Sequence, residues 1–146
     1  MGEYIRLNLN EAAPQLSRAQ AALHDKAIGF LDPRLAELVV LRASQLNGCA
    51  HDVDTDTTNA RRGGESDRRL HAVALWRDAP FFTAKERAAL ALTESMTLIA
   101  EGQVDDETWH EATEQFSAGE LPHLLSTIAS INALNRLDRA VRRIPT

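Results

Sequence analysis

The sequence contains a single cysteine, Cys49, in 146 residues. One cysteine cannot form an intrachain disulfide, and it excludes the zinc sites that require two thiols. The chain also lacks a hydrophobic run long enough to cross a bilayer, and its first ten residues lack the features of a signal peptide. We therefore expect a protein of the reducing cytoplasm that has no membrane partner.

Positive charge is scarce as well, with 16 Lys and Arg against 21 Asp and Glu and a net charge of −5. This balance lacks the basic surface that binds nucleic acids, so we predict no nucleic-acid partner. Four arginines do lie near the end of the chain: Arg136, Arg139, Arg142 and Arg143. We interpret them as cations that stabilise the negative pole of a last helix.

Several common catalytic motifs are missing, among them the Gly-rich phosphate loop, the G-x-S-x-G elbow and the H-E-x-x-H helix. Two E-x-x-H spacings occur, Glu107 to His110 and Glu120 to His123, as in carboxylate-bridged di-iron sites. Because these pairs lie at the starts of consecutive short segments, we interpret them as solvated helix ends. The motifs predict no metal site and no cofactor.

Hydrophobic residues recur at steps of three and four, and no stretch alternates like a β-strand. The predicted fold class is all-α, with one domain over residues 1–146 and six to seven helices. Capping and turn residues predict where each helix starts and ends. The predicted helices run from Asn10 to Gly29, Pro33 to Gly48, Cys49 to Gly63, Ser66 to Pro80 and Thr83 to Ile99, and two more begin at Asp105 and near Ser117.

The candidate functional residues surround Cys49. Glu37 lies on an otherwise apolar helix, where a carboxylate must be paired, protonated or used. Cys49 lies at the expected start of the next helix, where the helix dipole lowers a thiol pKa and favours reactivity. Asp52 and Asp56 follow at three and seven residues, on the same helix face, with His51 beside them. The alternative is a structural buried cysteine with solvated capping aspartates.

The stretch from Leu35 to Ala50, which contains the segment Arg-Ala-Ser-Gln-Leu-Asn-Gly-Cys-Ala, resembles the core of the alkyl hydroperoxidase D-like and carboxymuconolactone decarboxylase-like family. The likeness continues through residues 76–90 and 131–137 and covers about residues 30–145. It implies a compact helical bundle around a central antiparallel helix pair. It also implies a homo-oligomer, a trimer or a hexamer, and we expect Trp76, Phe81 and Phe82 to be exposed and to support that assembly.

The family's peroxidase motif is a Glu, then Cys-x-x-Cys, then a His four residues after the second Cys. Glu37 and Cys49 match it, and His51 occupies an inner position where some members also have His. Asp52 replaces the second Cys, and Asp56 replaces the His. One cysteine cannot close the disulfide that regenerates such a site.

Three functions stay open. The first is a single-thiol peroxidase in which Cys49 reduces a peroxide, an external thiol regenerates it, and His51 or Glu37 is the base. The second is a small-ligand or metal-binding protein. The carboxylates of Glu37, Asp52 and Asp56, if they meet in one half-buried pocket, must share protons or hold a cation. The third is a catalytically silent oligomeric scaffold, and the family name also allows a decarboxylase-type reaction.

Overall fold

The computed structural model describes residues 5–146, so the first four residues of the N-terminal segment lie outside it. Within this range the chain forms eight α-helices, one 3₁₀ turn and no strand, which confirms the all-α prediction. None of these helices combines the length and hydropathy needed to cross a membrane. The helices are α1 Leu9–Ala12, α2 Pro14–Ile28, α3 Pro33–Leu46, α4 Ala50–Arg62, α5 Asp67–Ala72, α6 Ala84–Thr97, α7 Asp106–Gln115 and α8 Glu120–Ala140, and the 3₁₀ turn Val73–Leu75 follows α5.

The first predicted helix is divided at Ala13. This residue has φ −148° and ψ 68°, outside the helical region. The ring of Pro14 clashes with a helical conformation of the residue before it, so α1 ends at Ala12 and Pro14 begins α2. The single helix predicted from Asn10 to Gly29 is therefore wrong at this point, and the helix count rises to eight.

The predicted helix starts are otherwise confirmed, but the helix predicted from Ser66 to Pro80 ends at Ala72 and is followed only by the 3₁₀ turn Val73–Leu75. The Asp32, Ser66 and Asp105 side chains each accept a hydrogen bond from a first-turn amide of α3, α5 and α7. Thr83 and Glu86 form a complete capping box at the start of α6. Each cap satisfies an amide that has no partner within the helix, and its loss typically costs about 1 kcal/mol.

Helix α3 is the centre of the fold, because it packs against α4, α6 and α8. Its two sides contribute to different hydrophobic clusters: Val39 packs with α6, α7 and α8, and Leu38 with α4, α5 and α6. Ser44 near the end of α3 contacts Asp56 in α4, and Glu37 near its start contacts Gly63 after α4. Helices α3 and α4 are therefore antiparallel, as the resemblance implied.

Two of the three aromatic residues expected to be exposed are buried. Trp76 is 3% and Phe82 is 8% exposed, and both belong to the cluster that Leu38 joins. Phe81 is partly buried against the same cluster. These rings pack in the hydrophobic core of the chain and leave little apolar surface for another subunit. They therefore do not support the predicted oligomer.

Candidate functional site

Cys49 lies in the turn that joins α3 to α4. Gly48 supplies the positive φ of 63° that this turn requires, and the Cys49 amide donates to the Ser44 carbonyl at 3.0 Å. Cys49 is the N-cap of α4 and is only 1% exposed. Its thiol donates a hydrogen bond to Asp52 Oδ2 at 3.1 Å. The sulfur is thus buried beside a carboxylate.

The environment of Cys49 favours the neutral thiol. Burial raises the pKa of the Cys49 thiol to about 12, and the side chain of Asp52 adds to this rise by its hydrogen bond and its charge. The backbone amide of Asp52 acts in the opposite direction, as expected at a helix N-terminus. The predicted lowering of the thiol pKa is therefore wrong, because burial and the carboxylate outweigh the helix dipole.

Asp138, near the end of α8, completes what we call the thiol–carboxylate cluster of Cys49, Asp52 and Asp138. One ligand atom from each of these residues lies within 4.8 Å of the other two. Burial raises the pKa of Asp138 to about 6, the neighbouring Asp52 adds to the rise, and Arg143 opposes it from 3.5 Å. At neutral pH the cluster thus combines a neutral thiol with two acidic groups in close contact.

Asn135 connects this cluster to α3. Its Nδ2 donates to Asp52 Oδ2 at 2.6 Å and to Ser44 Oγ at 3.1 Å, and the residue is fully buried. Sequence reasoning assigned no site role to Asn135 or Asp138. A signal was available, because Asn132, Asn135 and Asp138 recur at three-residue steps on the buried side of α8.

Asp56 contacts α3 and not the thiol. Its Oδ2 accepts a hydrogen bond from Ser44 Oγ at 2.8 Å. Burial raises the pKa of Asp56 to about 7; the Ser44 hydrogen bond opposes this rise, and the charge of Asp52 adds to it. Asp56 is therefore linked to Asp52 through Ser44 and Asn135.

His51 lies beside the cluster, and the end of the chain orients its ring. Its Nδ1 is 3.0 Å from the carbonyl oxygen of Ile144. Because a carbonyl oxygen only accepts hydrogen bonds, Nδ1 carries the proton and Nε2 of the neutral ring keeps a free lone pair. That Nε2 is 4.0 Å from Asp52 Oδ1. In the neutral form of the ring, His51 therefore places Nε2 next to Asp52.

Glu37 lies towards the other end of the α3–α4 pair. A Cβ atom on Gly63 would be 2.9 Å from Glu37 Oε1, and among residues 5–146 Glu37 Oε2 has no hydrogen-bond partner. Burial raises the pKa of Glu37, and the charge of Glu65 adds to this rise. Glu37 precedes Ser44 by seven residues, about 10 Å along a helix. The sequence predicts that Glu37 lies close to Cys49. This prediction is wrong, because the structure places Glu37 and Cys49 at opposite ends of the α3–α4 pair.

The sequence pattern of the carboxymuconolactone decarboxylase family matches residues 14–95, which is more than half of the chain. The chain belongs to this family. The match spans α2 to α5 and most of α6. It therefore contains the helix pair that carries Cys49 and Asp52, whereas Asp138 lies outside the matched region.

Two relatives of similar sequence are both described as uncharacterised. The chain is 37% identical over 105 residues to YdfG of Bacillus subtilis, which covers 72% of this chain and 71% of that protein. It is 36% identical over 112 residues to YnjA of Escherichia coli, covering 76% of this chain and 60% of that one. These relatives support the family assignment and add no activity to it.

Two solved structures have a similar fold, and the first of them also supports the family assignment. A protein of unknown function from Agrobacterium tumefaciens, ATU0492, described as a candidate antioxidant defence protein AhpD, has a TM-score of 0.94 and 31% identity, with 97% of this chain and 98% of that one covered. The apo debrominase Bmp8 has a TM-score of 0.83 at 21% identity, covering 93% of this chain and 74% of that one. The second likeness concerns the fold alone.

The residues that the resemblance matches to the peroxidase motif lie on or beside α3 and α4, and their chemistry differs from that of the motif. Asp52, which the resemblance places at the second Cys, accepts a hydrogen bond from the Cys49 thiol. Asp56, at the position of the His, hydrogen-bonds to Ser44. The site therefore has one thiol and several carboxyl groups where the motif has two thiols and an imidazole, so it cannot form the intrachain disulfide of a two-thiol cycle.

Proposed function

We propose that this family member binds a divalent cation of the Zn²⁺ type at the thiol–carboxylate cluster and does not reduce peroxides by a two-thiol cycle. The observation that carries the proposal is the distance of 4.8 Å or less between ligand atoms of Cys49, Asp52 and Asp138. Because zinc binds sulfur and oxygen at about 2.0 to 2.3 Å, small side-chain movements bring all three atoms to one ion.

The donor types suit such an ion. A thiolate, carboxylates and a neutral imidazole are the ligands that zinc takes in proteins. His51 Nε2, 4.0 Å from Asp52 Oδ1, is the nearby imidazole nitrogen. The contact of His51 Nδ1 with the Ile144 carbonyl resembles the hydrogen bond that orients metal-binding histidines. His51 is therefore the expected fourth ligand.

The electrostatics of the cluster also favour a cation. Burial and mutual repulsion raise the pKa of both Cys49 and Asp138, so both groups hold protons more tightly than usual. Arg143, at 3.5 Å from Asp138, is the positive group that contacts the cluster within the described part of the chain. Without a cation, a bound proton keeps each of these groups neutral. A divalent cation replaces the protons, which are released on binding, and balances the negative charge of the thiolate and carboxylate ligands.

Cobalt titration tests this proposal, because Co²⁺ takes the place of zinc and its bond to a thiolate absorbs in the near ultraviolet. We expect one Co²⁺ per chain, a thiolate band, and an apparent affinity that increases with pH as the ligands lose their protons. Cys49→Ser should lose the band, and Asp138→Asn should weaken binding by about tenfold or more. Zn²⁺ should displace the cobalt.

Glu37→Gln is the matched control, because Glu37 is a partly buried carboxylate with a raised pKa outside the cluster. It should bind cobalt like the unsubstituted protein. Absence of a thiolate band, or equal binding by the Asp138→Asn variant, would contradict the cation site.

A single-thiol peroxidase is the second candidate, favoured by the hydrogen bond from Cys49 Sγ to Asp52 Oδ2, which gives the thiol proton an acceptor. The thiolate would attack the peroxide O–O bond, giving a sulfenic acid and an alcohol. Two external thiols would then reduce the sulfenic acid, releasing water and a disulfide. The raised thiol pKa argues against rapid turnover at neutral pH.

Peroxide consumption with dithiothreitol separates the two candidates. A peroxidase should lose its activity in Cys49→Ser and gain about tenfold per pH unit below the thiol pKa. We expect instead that the unsubstituted protein and Cys49→Ser consume peroxide at equal rates. A protein that neither binds cobalt nor consumes peroxide would be the silent scaffold.

A further inference from the structure

We propose that the groove between the end of α3 and the last turns of α8 binds a small molecule through an oxyanion group, a carboxylate or a phosphate. The groove has a volume of about 430 Å³ and is lined by Asn47, Asn135, Arg136, Arg139 and Ala140. The inference concerns a different surface from the thiol–carboxylate cluster and does not depend on a cation there.

Both arginines of the groove are held in place by uncharged acceptors. Arg136 Nη1 donates to the backbone carbonyl of Asn132 at 3.1 Å and to its side-chain Oδ1 at 2.8 Å. Arg139 Nη1 donates to the Asn47 carbonyl at 2.9 Å. Because a guanidinium group has five N–H donors, most donors of both side chains remain for a ligand.

Gly48 helps to fix Arg139. A Cβ atom at position 48 would lie 3.2 Å from Arg139 Nη1, so the guanidinium packs directly on the backbone of the α3–α4 turn. The turn that begins α4 therefore also positions one wall of the groove. A side chain fixed in this way loses less conformational entropy when a ligand binds.

No carboxylate of residues 5–146 neutralises the charge of Arg136 or Arg139, since none has an oxygen within 4.0 Å of a nitrogen of either guanidinium group. Arg6 adds a third cation at the rim, where its Nη1 is 3.4 Å from the Ala140 carbonyl. The negative pole of α8 opposes an anion, but it amounts to about half a charge against several full positive charges. The groove is thus a basic site on an acidic protein.

Guanidinium groups recognise carboxylates and phosphates through parallel N–H···O hydrogen bonds. The two arginines lie three residues apart on α8 and therefore face the same side of the helix. Asn135 lies between the groove, which it lines, and the thiol–carboxylate cluster, where its Nδ2 donates to Asp52 Oδ2 at 2.6 Å. A ligand in the groove would therefore be separated from the thiol–carboxylate cluster by one side chain.

An NMR titration of the isotope-labelled protein with succinate and, separately, with inorganic phosphate tests the site at constant ionic strength. We expect saturable shifts of the Asn47, Asn135 and Ala140 signals with at least one probe. The probe that binds more tightly identifies the carboxylate or the phosphate as the preferred group. Arg136→Gln and Arg139→Gln should each weaken binding by about tenfold or more.

Arg62→Gln is the matched control, because Arg62 is an exposed arginine in the last turn of α4, outside the groove. It should leave the affinity unchanged, and Arg136→Lys should bind more weakly than the unsubstituted protein but more tightly than Arg136→Gln. The proposal is overturned if neither probe gives saturable shifts at the groove. It is equally overturned if both Gln variants keep the full affinity, or if Arg62→Gln loses as much as they do.

Discussion

Asp52 determines the chemistry around Cys49 more than any other single residue. Its Oδ2 accepts hydrogen bonds from the Cys49 thiol and from Asn135, and its charge raises the pKa of Cys49, Asp56 and Asp138. A second cysteine at this position would carry neither that charge nor that acceptor strength. A carboxylate in place of a thiol at this position thus raises the pKa of three neighbouring groups.

We predict that Asp52→Asn makes Cys49 react faster with iodoacetamide. Removal of the negative charge lowers the thiol pKa towards its ordinary value, and each unit of decrease gives about ten times more thiolate at a fixed pH. The rate of alkylation between pH 7 and 10 measures the effect. Asp56→Asn is the control, because Asp56 contacts Ser44 and not the thiol, and equal rates in both variants would contradict the prediction.

Asp56 should make the fold less stable as the pH rises. Its pKa is raised to about 7 from 3.8, so between these values the folded chain holds a proton that the unfolded chain has released. The free energy of unfolding therefore falls with rising pH across this window, by up to about 4 kcal/mol. Asp56→Asn should remove this contribution while its amide oxygen still accepts from Ser44.

Urea unfolding at pH 5 and pH 8 measures the effect of Asp56. The difference between the two pH values should be smaller in Asp56→Asn than in the unsubstituted protein, although Asp138 still contributes in the same direction in both. Asp54→Asn changes an exposed carboxylate on the same helix and should leave the difference as it was. If the two variants behave alike, Asp56 does not titrate as described.

At the scale of the elements, the turn between α3 and α4 positions both Cys49 and Arg139. We predict that Gly48→Ala lowers the free energy of unfolding by about 1 to 2 kcal/mol, because a non-glycine residue is strained at φ 63°. The added Cβ also lies 3.2 Å from Arg139 Nη1. Gly102→Ala is the control, since nothing lies within 4 Å of a Cβ there, and an equal change in both variants would contradict this account.

Most helix starts could be predicted from the sequence, because capping residues close to each start determine them, whereas the break at Ala13 and the end of α5 at Ala72 were not predicted. The capping box of Thr83 and Glu86 involves residues three apart, and the sequence alone is enough to recognise it. Asp138 reaches Cys49 from 89 positions away, and only the packing of α8 brings the two together. The neighbours of Glu37 could not be predicted for the same reason, because they depend on how α3 packs against α4.

The thiol pKa was mispredicted for a related reason. A helix N-terminus is a local feature and can be read from the sequence, whereas burial is a property of the whole fold. Cys49 is 1% exposed because α8 and the α3–α4 turn enclose it. The local and the global effects oppose each other at this atom, and the global effect is the larger.

At the scale of the whole molecule, a different surface supports the predicted homo-oligomer, since Trp76 and Phe82 are buried. Leu16 and Leu23 are 64% and 58% exposed and lie seven residues apart on α2, and Phe30, 56% exposed, follows the end of this helix. A seven-residue spacing places side chains on one helix face, which is typical of helices that pack against another helix. Exposed apolar rows of this kind mark interaction surfaces.

We predict that the protein assembles into a trimer or a hexamer through this face of α2. Light scattering at micromolar concentration should give a mass of three or six chains, and Leu23→Glu should reduce it, because the buried charge would cost more than the contact gains. Leu75→Glu is the matched control, since Leu75 is 68% exposed in the 3₁₀ turn, away from α2. A monomeric unsubstituted protein would refute the assembly. An equal loss of mass in both variants would instead place the interface elsewhere on the molecule.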